Sequence, residues 1–207
     1  MEISVNDLVE RVKINMEELT DVSNASVKLE VGIDVEQYIR AKLPDALLSV
    51  WASTPVELLP QTDCASSLQP ERQPDGSGRV VLPSDVWRMT EFCMEGWRQP
   101  VTSFIDHTSP AYELQFNLYT RGGVATPVCV RSNVGGQKCL DYYSLPPRVE
   151  AHRVKTARYV AYPQADADKY EIADSLVQVV CYTCAALVYE ILGQPEQAAA
   201  MLRSIVK

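Results

Sequence analysis

Histidine is almost missing from this chain: His107 and His152 are the only two in 207 residues. Any acid-base triad would have to use one of them, with a cysteine nucleophile recruited from a scattered set. Neither histidine lies in a catalytic motif. His107 sits in Phe104-Ile-Asp-His-Thr-Ser-Pro110, which reads as a polar turn ahead of the proline, and His152, between Ala151 and Arg153, reads as a strand-edge side chain. Basic charge is also short, with 19 Lys and Arg against 27 Asp and Glu and a formal net charge of -8. That balance disfavours a nucleic-acid binder that works by neutralising phosphates. An apolar targeting segment is lacking as well: Met1 to Leu19 carries Glu2, Asp7, Glu10, Arg11, Lys13, Glu17 and Glu18, which predicts synthesis and folding in the cytoplasm. There is no internal repeat and no low-complexity tract.

The glycine pairs Gly122-Gly123 and Gly135-Gly136 have neither the G-x-x-x-x-G-K-[ST] pattern nor G-x-G-x-x-G ahead of a helix, so they read as turns rather than phosphate loops. Asp166, Asp168, Glu171 and Asp174 lack the spacing and glycine of a calcium loop, and Asp168 is expected to cap the helix that follows. The run His152-Arg153-Val-Lys155-Thr-Ala-Arg158 puts Arg153 and Lys155 on one strand face. It reads as a charged edge that discourages sheet aggregation, with phosphate contact as the alternative.

Six cysteines (Cys64, Cys93, Cys129, Cys139, Cys181, Cys184) are present without framework spacing in a chain large enough to need no staples, and reduced thiols are expected. The C-x-x-C of Cys181 and Cys184 lies inside an apolar helical pattern with no second pair and no nearby histidine. These two are therefore expected to be buried side chains. No residue is assigned to catalysis, to a cofactor or to a metal.

What is abundant is apolar surface near the C-terminal end. From Ser175 to Tyr189 there is no charge, and helical spacing spreads apolar side chains over most of the circumference. One row is Ile172, Leu176, Val180, Leu187 and Ile191; the other is Val177, Cys181, Val188 and Leu192. A narrow seam of Glu171, Gln178, Tyr182 and Tyr189 is left to meet water. The run is shorter than the roughly 20 apolar residues of a membrane span, and is punctuated by Ser175, Gln178 and Thr183. A helix apolar on two sides needs two partners, which suggests an interaction surface. Gly193 falls where a left-handed cap is wanted, and Pro195 opens a second short helix with an apolar stripe of Ala198, Met201, Leu202 and Ile205.

Elsewhere, residues 4 to 19 read as an amphipathic helix with Ser4 and Asp7 in capping-box relation. Val27 to Ile33 alternates like a short strand or extended linker. A second helix from Asp34 contains Pro44, which should kink or split it. The expected class is α+β: a helical bundle formed by 1-58 and 164-207, an irregular loop over 59-78, and an inserted antiparallel β region over 79-163. Its strands are expected at Arg79 to Leu82, Val86 to Glu95, Thr126 to Arg131, Lys138 to Tyr143 and Arg153 to Ala161, punctuated by Gly96, the two glycine pairs and Pro146-Pro147. Pro110 to Tyr119 reads as one helix or an irregular crossover.

The opening Leu8-Val9-Glu10-Arg11-Val12, the Leu43-Pro44-Asp45-Ala46 break, Val81-Leu-Pro-Ser-Asp-Val-Trp-Arg88, Gly96-Trp-Arg-Gln-Pro-Val101 and Cys181-Tyr-Thr-Cys-Ala-Ala-Leu-Val-Tyr189 together resemble the head-to-tail connector (adaptor, or ring) proteins of short-tailed phages, most closely those of the crAss-like group. The resemblance implies a non-enzymatic virion protein at the junction of capsid and tail, a cyclic homo-oligomer of roughly twelve copies. Its partners would be the portal protein and the next tail or ring protein. DNA would pass without specific binding, and neither cofactor nor membrane would be involved. An acidic conduit would repel the duplex rather than grip it. Many such adaptors extend a C-terminal arm into the portal; here residues 61-78 or the N-terminus would take that part. From the residues alone, a non-viral interaction module using the C-terminal helix and a small Cys/His hydrolase built on Asp106-His107 remain the alternatives.

Overall fold

The computed structural model describes residues 1-23, 35-73, 77-143, 152-166 and 168-205. The alternating run Val27 to Ile33 and the Pro146-Pro147 signal lie outside them. The chain is α+β and divides into two compact units: Met1–Pro60 with Pro163–Lys207, and Gln61–Tyr162.

In the first unit β1 (Glu2–Ser4) leads directly into α1 (Val5–Ser23), and the amide of Asp7 donates to Ser4 Oγ at 3.0 Å, the capping bond its sequence announces. Leu8, Val9 and Val12 on α1 are fully buried. The next helix, α2 (Val35–Ser53), is a single element with Pro44 inside it, so the proline does not split it in two. The missing N-H and the ring cost about 3 kcal/mol in a helix interior. Burial outweighs this: Ile39 and Leu43 before the proline, and Ala46, Leu47, Val50 and Trp51 after it, are all buried, and each large apolar side chain so placed is worth about 1.5–3 kcal/mol. A 3-10 turn over Val56–Leu58 follows.

The expected long helix begins later than its periodicity suggests. Tyr170 and Glu171 belong to a short strand, Lys169–Glu171, paired antiparallel with β1, so Glu171 is not on the helix seam. Asp168 is not a cap either. It sits at φ +62° in the turn leading to that strand, its carbonyl accepts from Val5 N at 2.8 Å, and the helix N-cap is Ala173. The helix itself, Asp174–Ile191, is long and apolar enough by length and composition to cross a membrane. Its side chains are those of a core helix: Leu176, Val177, Val180, Cys181, Cys184 and Val188 are among its buried residues, and it packs on α1, α2 and a final helix, Pro195–Ser204. Gly193 at φ +72° carries the left-handed cap, Gln194 N donates to Tyr189 O at 2.9 Å, and Pro195 takes the first position of the last helix. On that helix Ala198 and Met201 face inward, whereas Leu202 faces out.

The second unit begins inside the segment read as irregular: residues 59-78 contain β2 (Thr62–Asp63) and β3 (Pro70–Arg72). They are followed by β4 (Gly78–Val81), β5 (Val86–Met94), a short helix α3 (Pro110–Glu113), β6 (Cys129–Val134), β7 (Gln137–Tyr142) and β8 (Val154–Ala161). The short strand Lys169–Glu171 is then β9, and the helices Asp174–Ile191 and Pro195–Ser204 are α4 and α5. The strands of the second unit form a four-stranded antiparallel sheet, β3-β4-β7-β6, and a three-stranded one, β2-β8-β5. Gly135 and Gly136, both at positive φ, close the two-residue β6-β7 hairpin. The core draws Val80, Leu140 and Tyr142 from the first sheet and Phe92, Met94, Ala157 and Tyr159 from the second. At its centre Phe92, Trp97 and Tyr142 meet with ring centroids 5.8–6.2 Å apart. Arg79 and Asp141, directly opposite on β4 and β7, form a two-pronged ion pair at 2.6 and 3.2 Å.

Candidate interaction surfaces

The residues weighed as chemistry in the sequence do not converge. The Asp106 carboxylate is occupied by its own turn, accepting from Thr108 N at 2.9 Å and Thr108 Oγ1 at 2.6 Å. Those bonds, with Arg131 3.7 Å away, hold it below the usual aspartate range. The partner of His107 is a ring, Tyr112, in edge contact at 4.6 Å. All six cysteines are free and buried. Burial pushes the thiols of Cys64 and Cys181 up to about 11 and that of Cys184 up to about 12, away from the thiolate a nucleophile or metal ligand requires. His152 stands just before β8 with neither ring nitrogen bonded among the described residues; burial and the nearby Arg72 lower its pKa. The charged-edge reading of the basic run is corrected in part. Its strand, β8, lies between β2 and β5, and Arg158 pairs with Glu91 at 3.8 Å, while Arg153 and Lys155 stay exposed. The group Asp166, Asp168, Glu171 and Asp174 forms no metal-holding cluster among the described residues.

Two surface features of the second unit went unflagged in the sequence. One is a tongue rooted at Asp106 and returning at Gly122. Ser109 caps it, its Oγ accepting from Ala111 N at 3.3 Å, and Pro110 opens α3. A 3-10 turn over Leu114–Phe116 continues it. Gln115, 2% exposed, stitches the two arms: its Nε2 donates to Ala111 O at 2.8 Å and its Oε1 accepts from Gly122 N at 3.0 Å. Arg121 Nε donates to Gln115 O at 3.1 Å, Thr120 Oγ1 to Leu114 O at 2.8 Å, and Tyr119 N to Asn117 Oδ1 at 2.9 Å. Rings continue the bracing, since Phe116 meets Tyr112 edge-on at 5.0 Å and Tyr112 meets His107. On this braced frame Leu114, Phe116, Leu118 and Tyr119 stand in water at 49%, 60%, 74% and 97% exposure. Single exposed apolar residues are ordinary, but such a run on one ordered loop makes a candidate interaction surface.

The other feature is a cleft of about 310 Å³ beside β5 and β7. Leu82, Met89 and Phe104 give it apolar walls, and Trp87 stands beside them. Its charged lining residues are Arg88, Arg131 and Lys138. None of the lining residues is acidic, in a chain with net charge -8. Lys138 is held by Val86 O and by Tyr162, whose ring lies 4.5 Å away, and Arg131 by Asp106. Arg88 is exposed and has no acidic partner among the described residues.

Compared with known proteins, the chain matches no family model, and no curated protein matches it.

Proposed function

We propose that the chain is a virion structural protein, a ring-forming head-to-tail connector between portal and tail whose copies form part of the DNA conduit. In this reading the first unit is the helical bundle of the connector and the second its β insertion. The observation that carries it is the tongue. An ordered loop holding Leu114, Phe116, Leu118 and Tyr119 in water suits a protein whose working state is an assembly. The segments that resemble phage connectors supply the kind of assembly, and the net charge of -8 suits a channel through which DNA slides without being gripped.

Native mass measurement of the purified chain mixed with its portal should give a cyclic species of roughly twelve copies, and the chain should be a stoichiometric component of purified particles. A chain that stays monomeric with portal present, or is missing from particles, overturns the proposal. The second outcome would favour a non-viral interaction module using the same tongue.

A further inference from the structure

We infer that the tongue of one copy docks into the basic cleft of the next, so that one heterologous contact within the second unit closes the ring. This rests on the connector reading and specifies how its copies meet. Four observations lead to it. Tongue and cleft lie on the same unit, yet the tongue does not fill its own cleft: Phe116 and Tyr119 stand in water, and no tongue residue lines the cavity. Nor can it fold back readily. The Gln115 bonds fix its two arms to each other, and Asp106 at its root stands 3.7 Å from Arg131 of the cleft.

The two surfaces also match in chemistry. The cleft offers Leu82, Met89 and Phe104 to an apolar guest, and its volume is near the lower end of the range, about 300–1,000 Å³, in which pockets hold small ligands, a size suited to inserted side chains. The tongue offers Phe116, Leu118 and Tyr119. In charge, the exposed Glu113 of the tongue has no cationic partner among the described residues, and Arg88 in the cleft has no acidic one. Pairing them across copies would satisfy both and set the direction of docking. Finally, a protrusion and a recess at different places on one surface can pair either reciprocally about a two-fold axis or head to tail, and a ring of more than two copies, which the connector reading requires, takes the head-to-tail form that repeats until the rotation closes. The bracing leaves little conformational freedom to be lost on docking.

The test is photocrosslinking in portal-assembled rings made from an equal mixture of unlabelled and ¹⁵N-labelled full-length chains, with p-benzoylphenylalanine replacing Phe116 or, separately, the more exposed Tyr119. Mixed-isotope crosslinks to peptides spanning Trp87 to Met89 or Arg131 to Lys138 are expected. Rings that form normally but crosslink elsewhere, only to portal, or not at all from both positions overturn the inference and leave the connector reading standing. Failure of the unmodified chain to form rings removes both. As a second measurement, Glu113→Lys or Arg88→Glu alone should lower the ring fraction about tenfold at fixed concentration, and the two together should restore it. Both side chains are exposed, so folding is spared. Absence of restoration in the double variant counts against the pairing.

Discussion

Tyr189 separates two accounts of helix α4. Helical phase placed it on a polar seam facing water; in the structure it is 1% exposed, and its hydroxyl donates to Met16 O on α1 at 2.9 Å. Tyr189→Phe loses this buried hydrogen bond while keeping the ring, a net loss of about 1 kcal/mol. Tyr189→Ala removes the ring from a packed helix junction, and large aromatic deletions of this kind cost roughly 3–5 kcal/mol. Against a total stability of about 5–15 kcal/mol, the second change should leave the helical unit marginal. Urea titrations followed by far-UV circular dichroism would read both values from the shift in midpoint at unchanged slope. On the seam account, each change would fall within about 0.5 kcal/mol of wild type. Two near-neutral variants would therefore refute the packing described for α1 and α4, not merely adjust its energy.

Gly78→Ala should destabilise the second unit by roughly 1–3 kcal/mol, because a Cβ there would run into the ring of Tyr142, itself locked among Phe92 and Trp97; thermal unfolding monitored by near-UV dichroism checks this. For His152, burial lowers the folded-state pKa from the ordinary 6.5, so the folded chain binds fewer protons than the unfolded one. Its contribution is present above that value and is lost as pH falls through the lower folded value; His152→Gln should flatten urea midpoints in that range, and an unchanged slope with pH would discount the site.

What was legible in the sequence was mostly punctuation. Ser4 with Asp7, Gly193 with Pro195 and the Gly135-Gly136 pair each encode a local geometry that does not depend on distant residues; the cap at Gly193 and the Gly135-Gly136 turn form as their residues predict, and of the capping box the bond from Asp7 N to Ser4 Oγ is present. Signals that depend on tertiary context did worse. Pro44 was read by its local penalty, which burial on both sides outweighs. Asp168 carries a good capping side chain, but the pairing of β1 with β9 takes up the residues between it and α4. The phase of α4 is ambiguous in the sequence because a helix apolar around most of its circumference has no unique wet side, and Tyr189 faces inward where helical phase turns it outward. The tongue is hard to see in the sequence because Leu114, Phe116, Leu118 and Tyr119 look like core residues, yet among the described residues they are left 49–97% exposed; its one sequence cue is the pattern of Ser109-Pro110 at one end and Gly122-Gly123 at the other.

The excess apolar surface of α4 suggested a neighbouring subunit, but α1, α2 and α5 of the same chain cover most of it, and Ile191, at 45% exposure near its end, is the one large apolar side chain it leaves clearly open. The tongue is the reverse: Leu118 and Tyr119 are mostly open and Leu114 and Phe116 about half open, while the Gln115 bonds hold its shape. The two sites should then respond in opposite ways. A polar change within α4 should lower unfolding free energy and reduce assembly only as far as folding fails. A polar change at Phe116 or Leu118 should leave unfolding nearly unmoved while abolishing rings. If tongue variants instead lost stability and assembled in proportion to what remained folded, the exposed side chains would be no more than surface residues, and the interface would have to be sought on the residual open edge of α4.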